Sequence, residues 1–187
     1  MNIISIIWVD IIEAALITGA GFVLAFWYVR NRVVEKKSLS TSFLRYFQGL
    51  FPVGVMLFGV FVILALNPPI GALIMVISTF IYIVSTVTPG VDKYDSVHRA
   101  TILSLGYTRQ EYAVKYLFKN SINYWIMASA NFFVAQAVTL IFSKDLIFFE
   151  KNSFAEDLFF ASITLMVFGF ILSLLRRFEV WKESDKE

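Results

Sequence analysis

At 187 residues, 58% hydrophobic and only 16% charged, with a mean hydropathy of +0.73, the chain is too apolar for an ordinary soluble domain. A net charge of +2 with no clustered basic face excludes a nucleic-acid footprint. The absence of cysteine excludes disulfides, thiolate metal sites and a cysteine nucleophile, and the single histidine, His98, cannot build a metal site alone.

Five apolar stretches run through about 7–28, 50–66, 70–88, 122–142 and 158–175. Each is close to the roughly 20 residues that cross about 30 Å of hydrocarbon as a helix. They predict an all-α membrane protein, a five-helix bundle in one domain covering 1–187. The first stretch has no basic residue ahead of it and is interrupted by Asp10 and Glu13, so it does not read as a cleavable signal. Trp8 and the pair Trp27-Tyr28 mark its two interfacial ends. Asp10 and Glu13 lie three apart and share a helix face. Asp10 fits a surface carboxylate at the positive end of the helix dipole; Glu13, deeper, fits a partner contact or a substrate-pathway group.

Residues 31–48 form a linker in which Ser38-Leu39-Ser40-Thr41-Ser42 offers helix caps, and Phe43-Leu44-Arg45-Tyr46-Phe47 suits an interfacial amphipathic turn. Pro52 falls in the first turn of the second span, where a missing N–H costs little. Asn67-Pro68-Pro69 separates the second and third spans as a tight turn. The third span is expected to stop at Pro89-Gly90.

Within 89–121, Asp95 or Ser96 is expected to cap a helix through Leu105, which Gly106 ends in the left-handed conformation. Thr108 and Glu111 have the spacing of a capping box, opening a second helix that runs from Arg109 into the fourth span. In that span Ser129 and Gln136 lie seven apart on one stripe, and Asn131 shares another with Ala135. These fit helix–helix packing or the lining of a polar path. The span is expected to end at Ser143-Lys144-Asp145. An outer segment of about fifteen residues follows, and the fifth span returns to Arg176-Arg177.

All sixteen lysines and arginines lie outside the five stretches. With the amino terminus outside, fourteen of them (Arg30, Arg32, Lys36, Lys37, Arg45, Lys93, Arg99, Arg109, Lys115, Lys119, Arg176, Arg177, Lys182 and Lys186) fall on the cytoplasmic side, and only Lys144 and Lys151 stay outside. The positive-inside rule therefore predicts a multi-pass protein of the cell (cytoplasmic) membrane, with its carboxyl end and the 89–121 segment in the cytoplasm. The chain has no P-loop pattern, no G-x-S-x-G and no H-E-x-x-H. No enzymatic activity, catalytic residue, metal or cofactor is expected.

The run Ala100-Thr101-Ile102-Leu103-Ser104-Leu105-Gly106-Tyr107-Thr108-Arg109-Gln110-Glu111-Tyr112 resembles the EAA loop of binding-protein-dependent ABC importer permeases. That motif reads roughly E-A-A-x-x-x-G, nine residues, an apolar pair and Leu-Pro. Ala100 stands at the family's Glu, Thr101 and Ile102 replace its alanines, and Lys119 occupies its proline. The resemblance implies a membrane subunit like the five-span methionine-importer permeases, with this loop between spans three and four docking on a cytoplasmic P-loop ATPase. Arg99, Ala100, Leu105, Gly106, Thr108, Arg109 and Glu111 would form the coupling loop. Implied partners are membrane lipid, a second membrane subunit (the same or another chain), and an extracytoplasmic substrate-binding protein. The alternative expectation is a non-catalytic structural or assembly subunit of a larger respiratory or oxygenase complex.

Overall fold

A computed structural model describes residues 3–35, 42–149 and 153–184, and within them every regular element is a helix. In chain order these are α1 (Ile3–Val34), a 3₁₀ turn (Phe43–Tyr46), α2 (Leu50–Ala65) and α3 (Pro68–Ser104). A single α-turn, α4 (Arg109–Glu111), then passes through a π-helical stretch (Tyr112–Phe118) into α5 (Lys119–Phe149), followed by α6 (Ser153–Ser184). Four helices are long and apolar enough to cross a membrane, at Ile7–Val34, Pro68–Ser104, Arg109–Lys144 and Phe154–Arg177; Leu50–Ala65 is a shorter apolar helix. This is the make-up of a multi-pass helical membrane protein.

The α2–α3 hairpin forms where Asn67-Pro68-Pro69 predicts a turn. Pro68 and Pro69 occupy the first two helical positions, where no N–H is needed, and the Asn67 side chain accepts from the Ile70 N–H at 3.4 Å. Beyond the turn the two backbones nearly touch. A Cβ on Gly71 would lie 2.5 Å from both the Gly59 oxygen and the Ile63 nitrogen, so only glycine permits this crossing.

The third helix does not stop at Pro89-Gly90. It continues to Ser104, 37 residues in all, or about 55 Å at 1.5 Å per residue. Pro89 sits inside it and is tolerated because a side chain from elsewhere serves the carbonyl its missing N–H leaves open: Gln48 Nε2 donates to the Ser85 oxygen at 2.8 Å. The separate helix expected to begin at Asp95 or Ser96 is therefore absorbed into α3, where Asp95 is an interior residue with a buried side chain.

The apolar span of the fourth expected crossing ends at Lys144, within the expected Ser143-Lys144-Asp145, while the helix itself continues to Phe149, since none of these residues breaks a helix. Most of the Ser38–Ser42 run falls at 36–41, outside the described residues. Ser42 precedes the 3₁₀ turn without a side-chain capping bond and instead shares a 2.8 Å hydrogen bond with the Tyr28 hydroxyl. Lys36, Lys37, Lys151 and Lys186 also lie outside the described residues.

In the bundle α3 packs against α1, α2 and α5, while α6 packs chiefly on α2. The core has two parts. One, around Ala25, Val29, Val87, Val91, Leu117 and Trp125, joins α1, α3 and α5 near the 89–121 end. The other, around Ile17, Val60, Met75, Phe132 and Leu140, joins α1, α2, α3 and α5 at the opposite end. Tyr82 and Phe132 stack between them, with ring centroids 4.4 Å apart.

Candidate functional site

The end of the bundle formed by α3 and the start of α4 carries the motif-bearing corner. Leu105 ends α3, Gly106 has φ +91°, and Thr108 caps α4. A positive φ is where glycine is favoured over every other residue. The capping box is complete: the Glu111 N–H donates to Thr108 Oγ1 at 3.3 Å, and the Thr108 N–H donates to Glu111 Oε2 at 3.2 Å. Lys115 Nζ adds a 2.9 Å bond to Glu111 Oε1. That bond, followed by those from Thr108, holds the Glu111 carboxyl down to about 2.

Behind the corner the two helical arms are clamped together. Asp95 on α3 accepts from the Tyr112 hydroxyl at 2.9 Å and from Arg99 Nε at 3.0 Å, and Arg99 Nη2 lies 2.6 Å from its second oxygen. Asp95 and Tyr112 are both buried. Tyr112 opens the π-helical stretch, in which each turn holds an extra residue and the side chains swing relative to an α-helix. His98 lies among rings, 6.2 Å from Tyr94 and 5.8 Å from Tyr116 between centroids.

The seven residues expected in the coupling loop therefore divide. Leu105, Gly106, Thr108 and Arg109 form the exposed tip, Ala100 is exposed further down α3, and Glu111 belongs to the capping box. Arg99 turns inward onto Asp95.

The four residues expected on a path or a packing surface divide as well. Gln136 is fully enclosed and joins three helices. The Thr18 hydroxyl of α1 donates to its Oε1 at 2.7 Å, and its Nε2 donates to Thr79 Oγ1 of α3 at 2.8 Å. Ser129 returns its hydroxyl to the Trp125 carbonyl at 2.8 Å and lines an open groove with Ala15, Gly19, Phe22 and Phe133. Asn131 is exposed on the outside of α5, away from the contacts that Gln136 makes.

Glu13 and Asp10 meet a cation far away in sequence. Lys144 Nζ of α5 lies 2.5 Å from Asp10 Oδ1 and 2.9 Å from Glu13 Oε2. Asp10, the carboxylate expected near the outer surface of the membrane, is only 2% exposed and forms a buried ion pair. One sequence signal pointed there: two acids and the single nearby base fall at the same end of the first and fourth spans. The roles of Gln48, Thr18 and Thr79 carry no such signal, because a glutamine in a linker and threonines in apolar helices are common.

No protein-family model matches the chain, and no curated protein or solved structure does either.

Proposed function

We propose that the chain is a permease-like membrane subunit of an ABC importer-type transporter. In this reading the corner at about 94–112 couples a cytoplasmic ATPase to substrate passage, and the chain itself does no chemistry. The observation carrying it is the exposed tip from Leu105 to Arg109, set on two helical arms that the Asp95–Arg99–Tyr112 contacts clamp together. Such a tip can take a push and pass it to α3 and α5 as one body. The fourteen-to-two distribution of basic residues supports a cytoplasmic tip and an outer amino terminus. Leu50–Ala65, 16 residues or about 24 Å long, serves as the remaining span. Partners in this reading are a P-loop ATPase, a second membrane subunit, lipid and an extracytoplasmic substrate-binding protein.

A second reading, a structural or assembly subunit of a larger membrane complex, draws on the Gln136 bonds to Thr18 and Thr79. These fill the space between α1, α3 and α5 with satisfied polar groups instead of leaving a path. Isolation in mild detergent with crosslinking from cysteines placed at 98–111 separates the two. Crosslinks to a P-loop ATPase support the permease reading, and recovery of redox subunits without an ATPase supports the second. Gly106→Val, which forces a β-branched residue to φ +91°, should uncouple transport from ATP hydrolysis while the protein still inserts.

A further inference from the structure

We propose that the cavity between the inner end of α1 and the α3–α4 corner is a phosphate-binding site. It has a volume of about 140 Å³ and is lined by Val33, Arg99, Leu103, Arg109 and Tyr112. Two arginines thus line one small, mainly apolar space together with two aliphatic side chains and a buried tyrosine.

Of the charges around it, Arg109 is the one left without an ion-pair partner among the described residues. Asp95 is neutralised by Arg99 and also accepts from Tyr112. Glu111 is neutralised by Lys115 and bonded to Thr108. Arg32, Glu35 and Asp92 have contacts of their own. Arg109 makes no ion pair among the described residues, so one full positive charge at the cavity has no counterion. Arg99 donates Nε to Asp95. Its Nη2, 2.6 Å from the second Asp95 oxygen, is buried and makes no hydrogen bond among the described residues, so it remains a donor.

Phosphate fits this arrangement better than a carboxylate. A carboxylate's two oxygens lie in one plane, whereas a phosphate presents oxygens in several directions and so suits two guanidiniums that approach from different walls. The apolar walls of Val33 and Leu103 lower the local dielectric and strengthen the attraction. The phosphate has two sources by chemistry: the headgroup of an anionic lipid, as in other basic pockets between helices at a cytoplasmic surface, or a free phosphate. The lipid source rests on the membrane orientation proposed above; the site itself does not.

The test uses the full-length, delipidated protein in detergent, with binding followed by titration calorimetry. The probes are inorganic phosphate and soluble dihexanoyl phosphatidic acid. Both should bind saturably, and Arg109→Gln should weaken binding by about tenfold or more. Arg109→Lys should keep part of it. Arg45→Gln, which removes an inner positive charge elsewhere, should change nothing. Tighter binding of the lipid probe assigns the headgroup as the source, and equal binding assigns free phosphate. Absence of saturable binding, or equal loss in the Arg45 and Arg109 variants, would overturn the site. The isolated chain needs no ATPase here, so failure of the site and failure of the permease reading are separate results.

Discussion

The side-chain amide of Gln48 donates to the main-chain oxygen of Ser85, the carbonyl that Pro89 leaves without a helical donor. The link crosses from the segment before α2 to the middle of α3, and it lets a proline sit inside a 37-residue helix. Gln48→Ala should leave that carbonyl unpaired and cost about 1–3 kcal/mol. Unfolding of the reconstituted protein in mixed micelles measures the loss. Pro89→Ala in the same background restores the N–H and should recover most of it. Additive effects of the two changes would refute the pairing.

Lys144 stands between Asp10 and Glu13, joining α5 to α1. Lys144→Met strands the buried Asp10 carboxylate, with an expected cost near the low end of about 3–5 kcal/mol, because Lys144 keeps some contact with water. Adding Asp10→Asn removes the stranded charge and should restore part of the stability. Since the chain has no native cysteine, cysteines placed one at a time near the α1–α5 contact can report its opening by their labelling rates.

Gln136 holds α1 and α3 to α5 through Thr18 and Thr79. Gln136→Leu should lower stability by roughly 1–2 kcal/mol, the range for interhelical hydrogen bonds in membranes. Ser129→Ala, which removes only a bond to its own helix, should be near neutral. Equal losses in the two variants would argue against the three-helix role.

The Glu111 carboxyl, held by Lys115 and Thr108, should titrate near 2 instead of the ordinary 4.5. A folded value below the unfolded one means that its contribution is fully present above pH 4.5 and fades as pH falls through about 2. Carbon-13 NMR of labelled glutamate follows the titration. Lys115→Ala should move the midpoint upward, and an unmoved midpoint would contradict the bond.

The corner at 105–111 was legible in the sequence because its causes are local. A glycine after Leu105 allows a positive φ, and a Thr–Glu pair three apart closes the capping box whatever the rest of the chain does. The end of α3 was not legible, because Pro89 is a helix breaker only until a distant donor serves the Ser85 carbonyl. Asp95 likewise reads as a cap from its neighbours alone. Its partners Arg99 and Tyr112 hold it inside a helix instead, and Tyr112 is seventeen residues away.

By itself the sequence determined the helical, membrane-crossing character of the chain, the α2–α3 turn and the glycine corner. Apolar runs of spanning length, paired prolines and capping spacings act over a few residues and need no partner. The tertiary structure alone decided that α3 runs on past Pro89, that Asp10 and Glu13 share Lys144, and that Gln136 is enclosed while Asn131 faces outward. Each of these outcomes turns on whether a polar group finds a partner once water is excluded, and packing of the helices chooses that partner from residues as much as 134 positions away.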